Sequence, residues 1–89
     1  MYGLALRRSV ERVFAKLAKK APKQLRIIDE KLEEVRADPH RYKNLRSPLQ
    51  HPRRVHIDGS FVLVYSIDEA TKTVVVEDYD HNDRIYVRR

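Results

Sequence analysis

The sequence of 89 residues contains no cysteine and no long hydrophobic run. The absence of cysteine excludes disulfides and thiolate metal sites, and it fits a reducing compartment. No stretch approaches the roughly 18 apolar residues that a membrane-spanning helix needs. Residues 1–6 are too short for the apolar segment of a signal peptide, so we expect a cytoplasmic protein that does not bind membranes.

Several catalytic and metal-binding motifs are missing as well. The sequence has no P-loop, GxGxxG or GxSxG pattern, and it lacks EF-hand spacing and HExxH. A cluster of Asp78, Asp80, His81 and Asp83 leaves a Mg²⁺ or Ca²⁺ site as a minor alternative. We therefore expect a protein that uses neither a metal ion nor an organic cofactor.

Positive charge is abundant. The net charge is +6 and the pI is about 9.8, values that favour polyanionic partners such as nucleic acid, a ribosome or an acidic protein. Residues 38–56 hold five Lys or Arg and a single acid, together with three of the four histidines. Arginines in this segment would clamp phosphates through paired hydrogen bonds. The alternative is a solvated basic loop.

Two amphipathic helices are predicted after a short N-terminal strand. Residues 2–6 alternate between larger apolar and small side chains, which indicates the strand. Ser9 is predicted to cap the first helix, and Pro22 to begin a second helix that ends by Ala37. The apolar stripes recur every three or four residues. They comprise Val10, Val13, Phe14, Leu17 and Ala18 in the first helix and Leu25, Ile28, Leu32 and Val35 in the second.

The pattern changes to a period of two after an irregular segment over residues 38–52. Strands are predicted at residues 53–58, 61–68 and 73–80. The order of elements predicts one α+β domain over residues 1–89. We expect two layers, in which an antiparallel helix hairpin covers a three- to four-stranded, largely antiparallel twisted sheet.

The turn around Gly59 decides which side chains share a face of the sheet. A two-residue loop there predicts that Val55, Ile57, Val62 and Val64 face the helices. The opposite face would then carry Arg54, His56, Phe61, Leu63 and Tyr65. A face that is part basic and part aromatic suits unpaired RNA bases and their phosphates.

RNA can be cleaved without a metal ion when its 2′-hydroxyl attacks the adjacent phosphate. One group must remove the hydroxyl proton and another must protonate the leaving oxygen, and histidine suits both tasks. His56 and His81 would supply these groups, with Arg54 to stabilise the charge of the phosphorane. The alternative is that both are surface histidines without a role.

Two segments resemble the RelE/ParE toxin superfamily. Residues 53–65 (RRVHIDGSFVLVY) resemble its central hairpin, as in the RelE and YafQ branches, and residues 79–86 (YDHNDRIY) resemble its terminal motif. The resemblance implies a helix hairpin over one face of a sheet, whose other face enters the ribosomal decoding site. It also implies a toxin of a type II toxin–antitoxin system that cleaves mRNA there without a cofactor. Such toxins form hetero-oligomers with an antitoxin, which we expect to be acidic and RelB-like.

The resemblance assigns candidate site residues. It matches His56, His81 and Tyr86 to catalytic positions, and it matches Arg54 and Arg84 to positions that bind phosphate or stabilise charge. The basic segment and the predicted aromatic face add further candidates for RNA contact. These are Lys43, Arg46, Arg53 and Phe61.

The chain also departs from the YafQ-like pattern, and three rival functions stay open. It has Arg54 in place of an acid, and Asn82 where an arginine usually follows the terminal histidine. A ParE-like toxin would poison DNA gyrase. A non-catalytic nucleic-acid-binding module would depend on its arginines alone, and a decayed toxin would keep only the fold. Retention of Arg54, His56 and His81 together favours the ribonuclease over the gyrase poison.

Overall fold

The structure is a computed structural model that describes residues 1–43 and 52–88, with side chains as far as Ile85 in the last helix. Its elements are β1 (Gly3–Leu6), α1 (Arg8–Lys20), α2 (Pro22–Ala37), β2 (Arg53–Ile57), β3 (Phe61–Asp68), β4 (Thr73–His81) and α3 (Asn82–Arg88). The α1–α2 hairpin and the four-stranded sheet form two layers, which confirms the predicted α+β class.

The sheet has the strand order β1-β4-β3-β2. β2, β3 and β4 are antiparallel neighbours, whereas β1 lies at one edge and pairs in parallel with β4. The chain leaves β1, passes through both helices and returns to the sheet at the opposite edge as β2. The helix hairpin therefore spans the sheet from one edge strand to the other.

The two helices pack their apolar stripes on the sheet. Pro22 begins α2 as predicted, and only Ala21 separates the helices. α1 begins at Arg8, one residue before the predicted cap Ser9, and no side chain caps it. Ala18, predicted within the stripe, is exposed. The buried residues of α1 and α2 are Val10, Phe14, Ile28, Leu32 and Val35. Burial of side chains this large stabilises a fold by about 1.5–3 kcal/mol each.

The turn between β2 and β3 contains three residues and not the predicted two. Asp58 and Gly59 both have positive φ, at 51° and 76°, and Ile57 pairs with Phe61 across the turn. Because side chains alternate along a strand, one extra turn residue moves every side chain of β3 to the other face. Glycine adopts positive φ without the steric cost that other residues meet, which explains its place in this turn.

The three-residue turn corrects the predicted faces of the sheet. The prediction was right for β2, where Val55 and Ile57 face the helices, but it was wrong for all of β3. The side that packs on α1 and α2 carries Val55, Ile57, Phe61, Leu63 and Tyr65. The other side, termed the open face below, carries Arg54 and His56 on β2, Val62 and Val64 on β3, and Asp78 and Asp80 on β4.

A third helix, which the sequence pattern did not reveal, lies on the open face. α3 follows β4 directly, and the backbone N–H of Asn82 donates to the carbonyl of Ser60 at 2.9 Å. Ile85 is fully buried against Val62 and Val64. α3 therefore covers the apolar middle of the open face and joins the end of β4 to the β2–β3 turn.

The described ends of the irregular segment are anchored to the sheet. The hydroxyl of Tyr65 donates to the carbonyl of Pro39, and the guanidinium of Arg53 donates to the carbonyl of Tyr42 at 2.6 Å. The backbone N–H of Arg54 donates to the carbonyl of Lys43 at 3.0 Å. In the described ranges no helix has the length and apolar character needed to cross a membrane.

Candidate active site on the open face of the sheet

Among the predicted site residues that the structure describes, Arg54 and His56 form a pair joined by a side-chain hydrogen bond. They lie two positions apart on β2 and therefore share a face, and Nη1 of Arg54 lies 3.0 Å from Nε2 of His56. A guanidinium has only donors, so Nε2 must accept and the ring proton must sit on Nδ1. The contact thus defines one neutral tautomer of His56.

The guanidinium of Arg54 also has an unused donor. Its Nε is buried and has no hydrogen-bond partner in the part of the chain that the structure describes. A buried donor without a partner costs about 1–3 kcal/mol. Arg54 therefore places a guanidinium with unused hydrogen-bonding capacity next to His56.

The open face is divided by charge from one strand to the next. Cross-strand register aligns His56 with Val62 and then with Asp80, and it aligns Arg54 with Val64 and then with Asp78. A basic edge strand thus lies beside an apolar strand and then an acidic one. α3 rests on the apolar strand through Ile85.

Arg84 reaches the acidic row from α3. Its Nη1 lies 3.4 Å from Oδ1 of Asp80, at the i and i+4 spacing, and the Arg84 side chain is three-quarters exposed. Oδ1 of Asp80 also accepts the backbone N–H of His81 at 2.7 Å. The structure therefore brings Arg84 to the open face, as its predicted contact with RNA requires. Tyr86 also belongs to α3, but its side chain lies outside the described residues.

His81 does not share the open face with His56. It pairs in register with Phe61, and the two rings meet edge to face at 5.5 Å on the helix side of the sheet. Its Nδ1 accepts the backbone N–H of Asp83 at 3.3 Å. Because α3 begins at Asn82, His81 occupies the N-cap position and satisfies one of the free N–H groups of the helix.

Two other predicted RNA contacts lie on the helix side of the sheet. Phe61 stacks on Tyr79 at 5.6 Å, with the rings nearly parallel, and Arg53 bonds to backbone carbonyls of the segment after α2. The prediction of an aromatic stacking surface on the open face is therefore wrong, because it assumed a two-residue turn. Lys43 is exposed, and Arg46 lies outside the described residues.

Sequence reasoning missed the acidic row as part of this site. Asp78 and Asp80 alternate with Tyr79, and Glu77 precedes them at an irregularity in the β3–β4 pairing. Glu77 accepts hydrogen bonds from Ser66 Oγ at 2.6 Å and from Arg7 Nε at 2.8 Å. The alternation of Asp78, Tyr79 and Asp80 was visible in the sequence. Only the strand register decided which face of the sheet the two aspartates occupy. Among the described residues, no three His, Asp or Glu converge as a metal site would require.

Known proteins are similar to this chain along almost its whole length. Residues 4–86 match the family described as ParE toxin of type II toxin–antitoxin system. A protein of Methanosarcina mazei named "Uncharacterized protein" is 56% identical over 86 residues, which are 97% of this chain and 100% of that protein. A protein of Methanocaldococcus jannaschii named "Putative toxin RelE4" is 47% identical over 89 residues, which are 100% of this chain and 95% of that protein.

Solved structures share the fold. The RelBE2 toxin–antitoxin complex of Mycobacterium tuberculosis has a TM-score of 0.72 at 28% identity, covering 90% of this chain and 96% of its own. A mutant of Escherichia coli RelE in the free state has a TM-score of 0.74 at 20% identity, covering 98% of this chain and 90% of its own. The YoeB–YefM complex of Staphylococcus aureus has a TM-score of 0.75 at 14% identity, covering 91% of this chain and 97% of its own. The family match and the 47% identical relative show that this chain belongs to the RelE/ParE superfamily, the toxins of type II toxin–antitoxin systems.

Proposed function

We propose that this toxin is a metal-independent endoribonuclease that cleaves mRNA on the ribosome, and hence in the cytoplasm. The observation that supports it best is the Arg54–His56 pair on the open face. A phosphate-binding cation and a potential base lie in contact there, and one donor of the cation has no partner among the described residues. These are two of the groups that attack by a 2′-hydroxyl requires.

In the proposed mechanism the substrate displaces the internal contact. The phosphate of mRNA draws the guanidinium of Arg54 into a charge-assisted hydrogen bond, which is stronger than its bond to a neutral ring. Nε2 of His56 is then free to take the proton of the 2′-hydroxyl. The 2′-oxygen forms a bond to phosphorus, and the bond from phosphorus to the 5′-oxygen breaks.

Arg84 and Tyr86, both on α3, take the two remaining roles in the proposed mechanism. Arg84, which bonds to Asp80 in this structure, stabilises the negative charge that builds on the phosphorane. We assign to Tyr86 the transfer of a proton to the leaving 5′-oxygen. The products are then a 2′,3′-cyclic phosphate and a 5′-hydroxyl, and no metal ion or cofactor takes part.

The test is mRNA integrity in a translating extract, mapped by primer extension with and without the purified protein. Cuts that are phased with codons and vanish when translation is blocked are the expected result. Cuts that persist on naked mRNA would remove the ribosome from the proposal. Intact mRNA would reject the ribonuclease altogether.

An antitoxin is the proposed protein partner. The similar M. tuberculosis structure is a toxin–antitoxin complex, and the similar S. aureus structure is a complex of YoeB with YefM. The charge of this chain favours an acidic, RelB-like partner, since the net charge is +6. Co-expression with the protein encoded beside it should give a stable hetero-oligomer. Two separate proteins after co-expression, together with unchanged growth of cells that make this chain alone, would contradict this assignment.

A gyrase poison is the second candidate, because the matching family carries the name of ParE. A DNA supercoiling assay separates the two functions. Inhibition of gyrase by wild type and by the His56→Ala variant alike, together with intact mRNA, would establish the second candidate in place of the first.

A further inference from the structure

Arg7 reaches the open face from the link between β1 and α1. Its backbone N–H donates to the carbonyl of Val76 on β4, and its carbonyl accepts the N–H of Glu11 in the first turn of α1, both at 3.0 Å. Leu6 pairs with Val76 in the parallel register of β1 and β4, so Arg7 follows beside Glu77. The sheet and the helix together hold the backbone of Arg7 in place.

Glu77 binds the guanidinium of Arg7 from the side. Nε and Nη2 of Arg7 donate to the two carboxylate oxygens of Glu77, at 2.8 and 3.3 Å. Oγ of Ser66 donates to the same carboxylate at 2.6 Å. The Glu77 side chain is 21% exposed, whereas that of Arg7 is 61% exposed. Two parallel bonds between planar groups fix the orientation of a guanidinium as well as its position.

This contact leaves one edge of the Arg7 guanidinium unused. A guanidinium carries five N–H donors, and the bonds to Glu77 occupy two of them. Among the residues that the structure describes, Arg7 has no other side-chain hydrogen bond. The remaining donors include one on Nη1 and one on Nη2 that lie side by side, and such a fork matches a partner with two neighbouring acceptors.

The surroundings of the fork favour a neutral partner over a phosphate. The carboxylate of Glu77 is in contact with the fork, and Asp78 and Asp80 follow on the same face of β4. These negative charges oppose the approach of a phosphate but not that of a nucleobase. Guanine presents two neighbouring acceptors, O6 and N7, and arginine is the residue that most often reads them.

A shallow surface beside the fork has room for the plane of a base. Ala5 on β1 pairs with Val75 on β4, and both lie on the open face because their neighbours Leu6 and Val76 pack on the helix side. Gly3 lies on the same face of β1, two residues before Ala5. Gly3 and Ala5 are exposed and Val75 is partly exposed. Side chains this small let a ligand approach the sheet closely.

Arg7 is near enough to Arg54 for one RNA strand to contact both. Arg54 aligns with Val64 on β3, and Ser66 is the next residue of β3 on the same face. Ser66 is bonded to Glu77 on β4, so two strand spacings of about 4.8 Å each separate the strand of Arg54 from that of Glu77. A phosphate bound at Arg54 therefore leaves a nearby base of the same strand within reach of Arg7.

We propose that Arg7 is a specificity-determining residue that selects guanine in unpaired RNA close to the site of cleavage. Nη1 and Nη2 donate to O6 and N7 of the base, while Glu77 and Ser66 keep the guanidinium in the required orientation. Adenine is disfavoured because its N6 amino group would face a donor. The choice of mRNA as the substrate rests on the proposed function, whereas the guanine contact is measurable without cleavage.

The test is binding of the oligonucleotides UUGUU and UUAUU with 2′-O-methyl riboses, which cannot be cleaved by attack of a 2′-hydroxyl. Fluorescence anisotropy should show that wild type binds UUGUU about tenfold more tightly, a gain typical of a bidentate contact. Replacement of the guanine by 7-deazaguanine, which lacks N7, should remove most of this preference. Inosine, which keeps both O6 and N7, should bind like guanosine.

Arg7→Lys keeps the positive charge but has no fork. This variant should lose the preference for UUGUU while its affinity for UUAUU stays near that of wild type. Arg12→Lys is the matched control, because Arg12 is an exposed arginine of α1 in the helical layer, and it should keep the preference. Circular dichroism of both variants should match wild type, since both side chains lie outside the core.

Several results would each overturn the inference. Equal affinity of wild type for UUGUU and UUAUU would show that guanine is not selected. A full preference that persists in Arg7→Lys, or with 7-deazaguanine, would show that the fork does not read N7. Tighter binding of UUCUU than of UUGUU would assign the fork to cytosine, which offers a similar pair of acceptors in N3 and O2.

The binding result is separate from the cleavage result. A guanine preference that depends on Arg7, in a protein that leaves mRNA intact, would support the guanine site and reject the ribonuclease. Codon-phased cleavage by a protein without any guanine preference in binding would do the reverse. Where both hold, Arg7→Lys should reduce the share of cuts that lie next to guanine.

Discussion

Arg54 donates a hydrogen bond from Nη1 to Nε2 of His56, two residues further along the same strand, at 3.0 Å. The contact exists because alternate residues of a strand share a face of the sheet. Because the guanidinium can only donate, Nε2 accepts this bond and the ring proton lies on Nδ1. In the proposed mechanism this pair is the resting state that substrate phosphate opens.

The two histidines should differ sharply in their effect on cleavage. We expect His56→Ala to lower mRNA cleavage by about 10²-fold or more, the loss typical of a general base. His81→Ala should keep most of the activity, because His81 lies on the other face and caps α3. Cleavage rates in the translating extract provide the measurement. A larger loss for His81→Ala than for His56→Ala would exclude the assigned base.

The tautomer of His56 should depend on Arg54. Long-range ¹H–¹⁵N correlation spectra of the wild type should show a neutral His56 ring protonated at Nδ1. Arg54→Leu removes the donor, and the Nε2–H tautomer should then become prominent. Lys43→Ala is the matched control, since this exposed cation makes no side-chain bond to His56 in the structure. The same tautomer in wild type and Arg54→Leu would show that the contact does not exist in solution.

Removal of the Tyr65 hydroxyl should destabilise the protein. This buried group donates to the carbonyl of Pro39, so Tyr65→Phe leaves a buried acceptor unsatisfied and should cost about 1–2 kcal/mol. Tyr42→Phe is the matched control, because the Tyr42 hydroxyl has no partner within the described residues. Urea unfolding at neutral pH measures the free energy of unfolding of both variants. An equal loss of this free energy in the two variants would contradict the prediction.

The same tyrosine should make the fold sensitive to alkali. Burial raises the pKa of Tyr65 above its ordinary value of 10.0, the nearby Arg53 charge opposing this only in part. Because the pKa is raised in the folded state, the neutral Tyr65 phenol contributes its full stabilisation below about pH 10. That stabilisation is lost as the pH rises beyond this value. The stability difference between wild type and Tyr65→Phe should therefore shrink above that pH. A difference that stays constant would count against burial of the neutral phenol.

Glu69 should contribute to stability at neutral pH and not in acid. Hydrogen bonds from His40 at 2.6 Å and from the Tyr2 hydroxyl at 2.9 Å lower the pKa of Glu69 below its ordinary value of 4.5. Because the pKa is lowered in the folded state, the ionised Glu69 carboxylate stabilises the fold above pH 4.5. This stabilisation disappears as the pH falls through the pKa that Glu69 has in the folded protein.

Glu69→Gln should accordingly be less stable than wild type at pH 6 and equally stable near pH 2. Unfolding curves at several pH values provide the test. Glu33→Gln is the control, because Glu33 is exposed and forms no ion pair among the described residues. The prediction fails if Glu33→Gln and Glu69→Gln show the same dependence on pH.

The sequence alone determined the type and order of most elements. The apolar stripes of α1 and α2, with Pro22 between them, depend on periodicity within one segment, which is local information. Alternation likewise identified β2, β3 and β4 to within about one residue at each end. The two motifs at residues 53–65 and 79–86 were enough to indicate the superfamily, because they combine residue types with spacing.

Only the tertiary structure decided which candidate residues meet. One additional residue in the turn at Gly59 moved Phe61, Leu63 and Tyr65 to the helix side, because the side-chain period of a strand is two. α3 was missed because a helix of seven residues has little periodicity of its own, and it is held by the burial of Ile85 on the sheet. His56 and His81 were candidates by residue type, and the strand register then placed them on opposite faces.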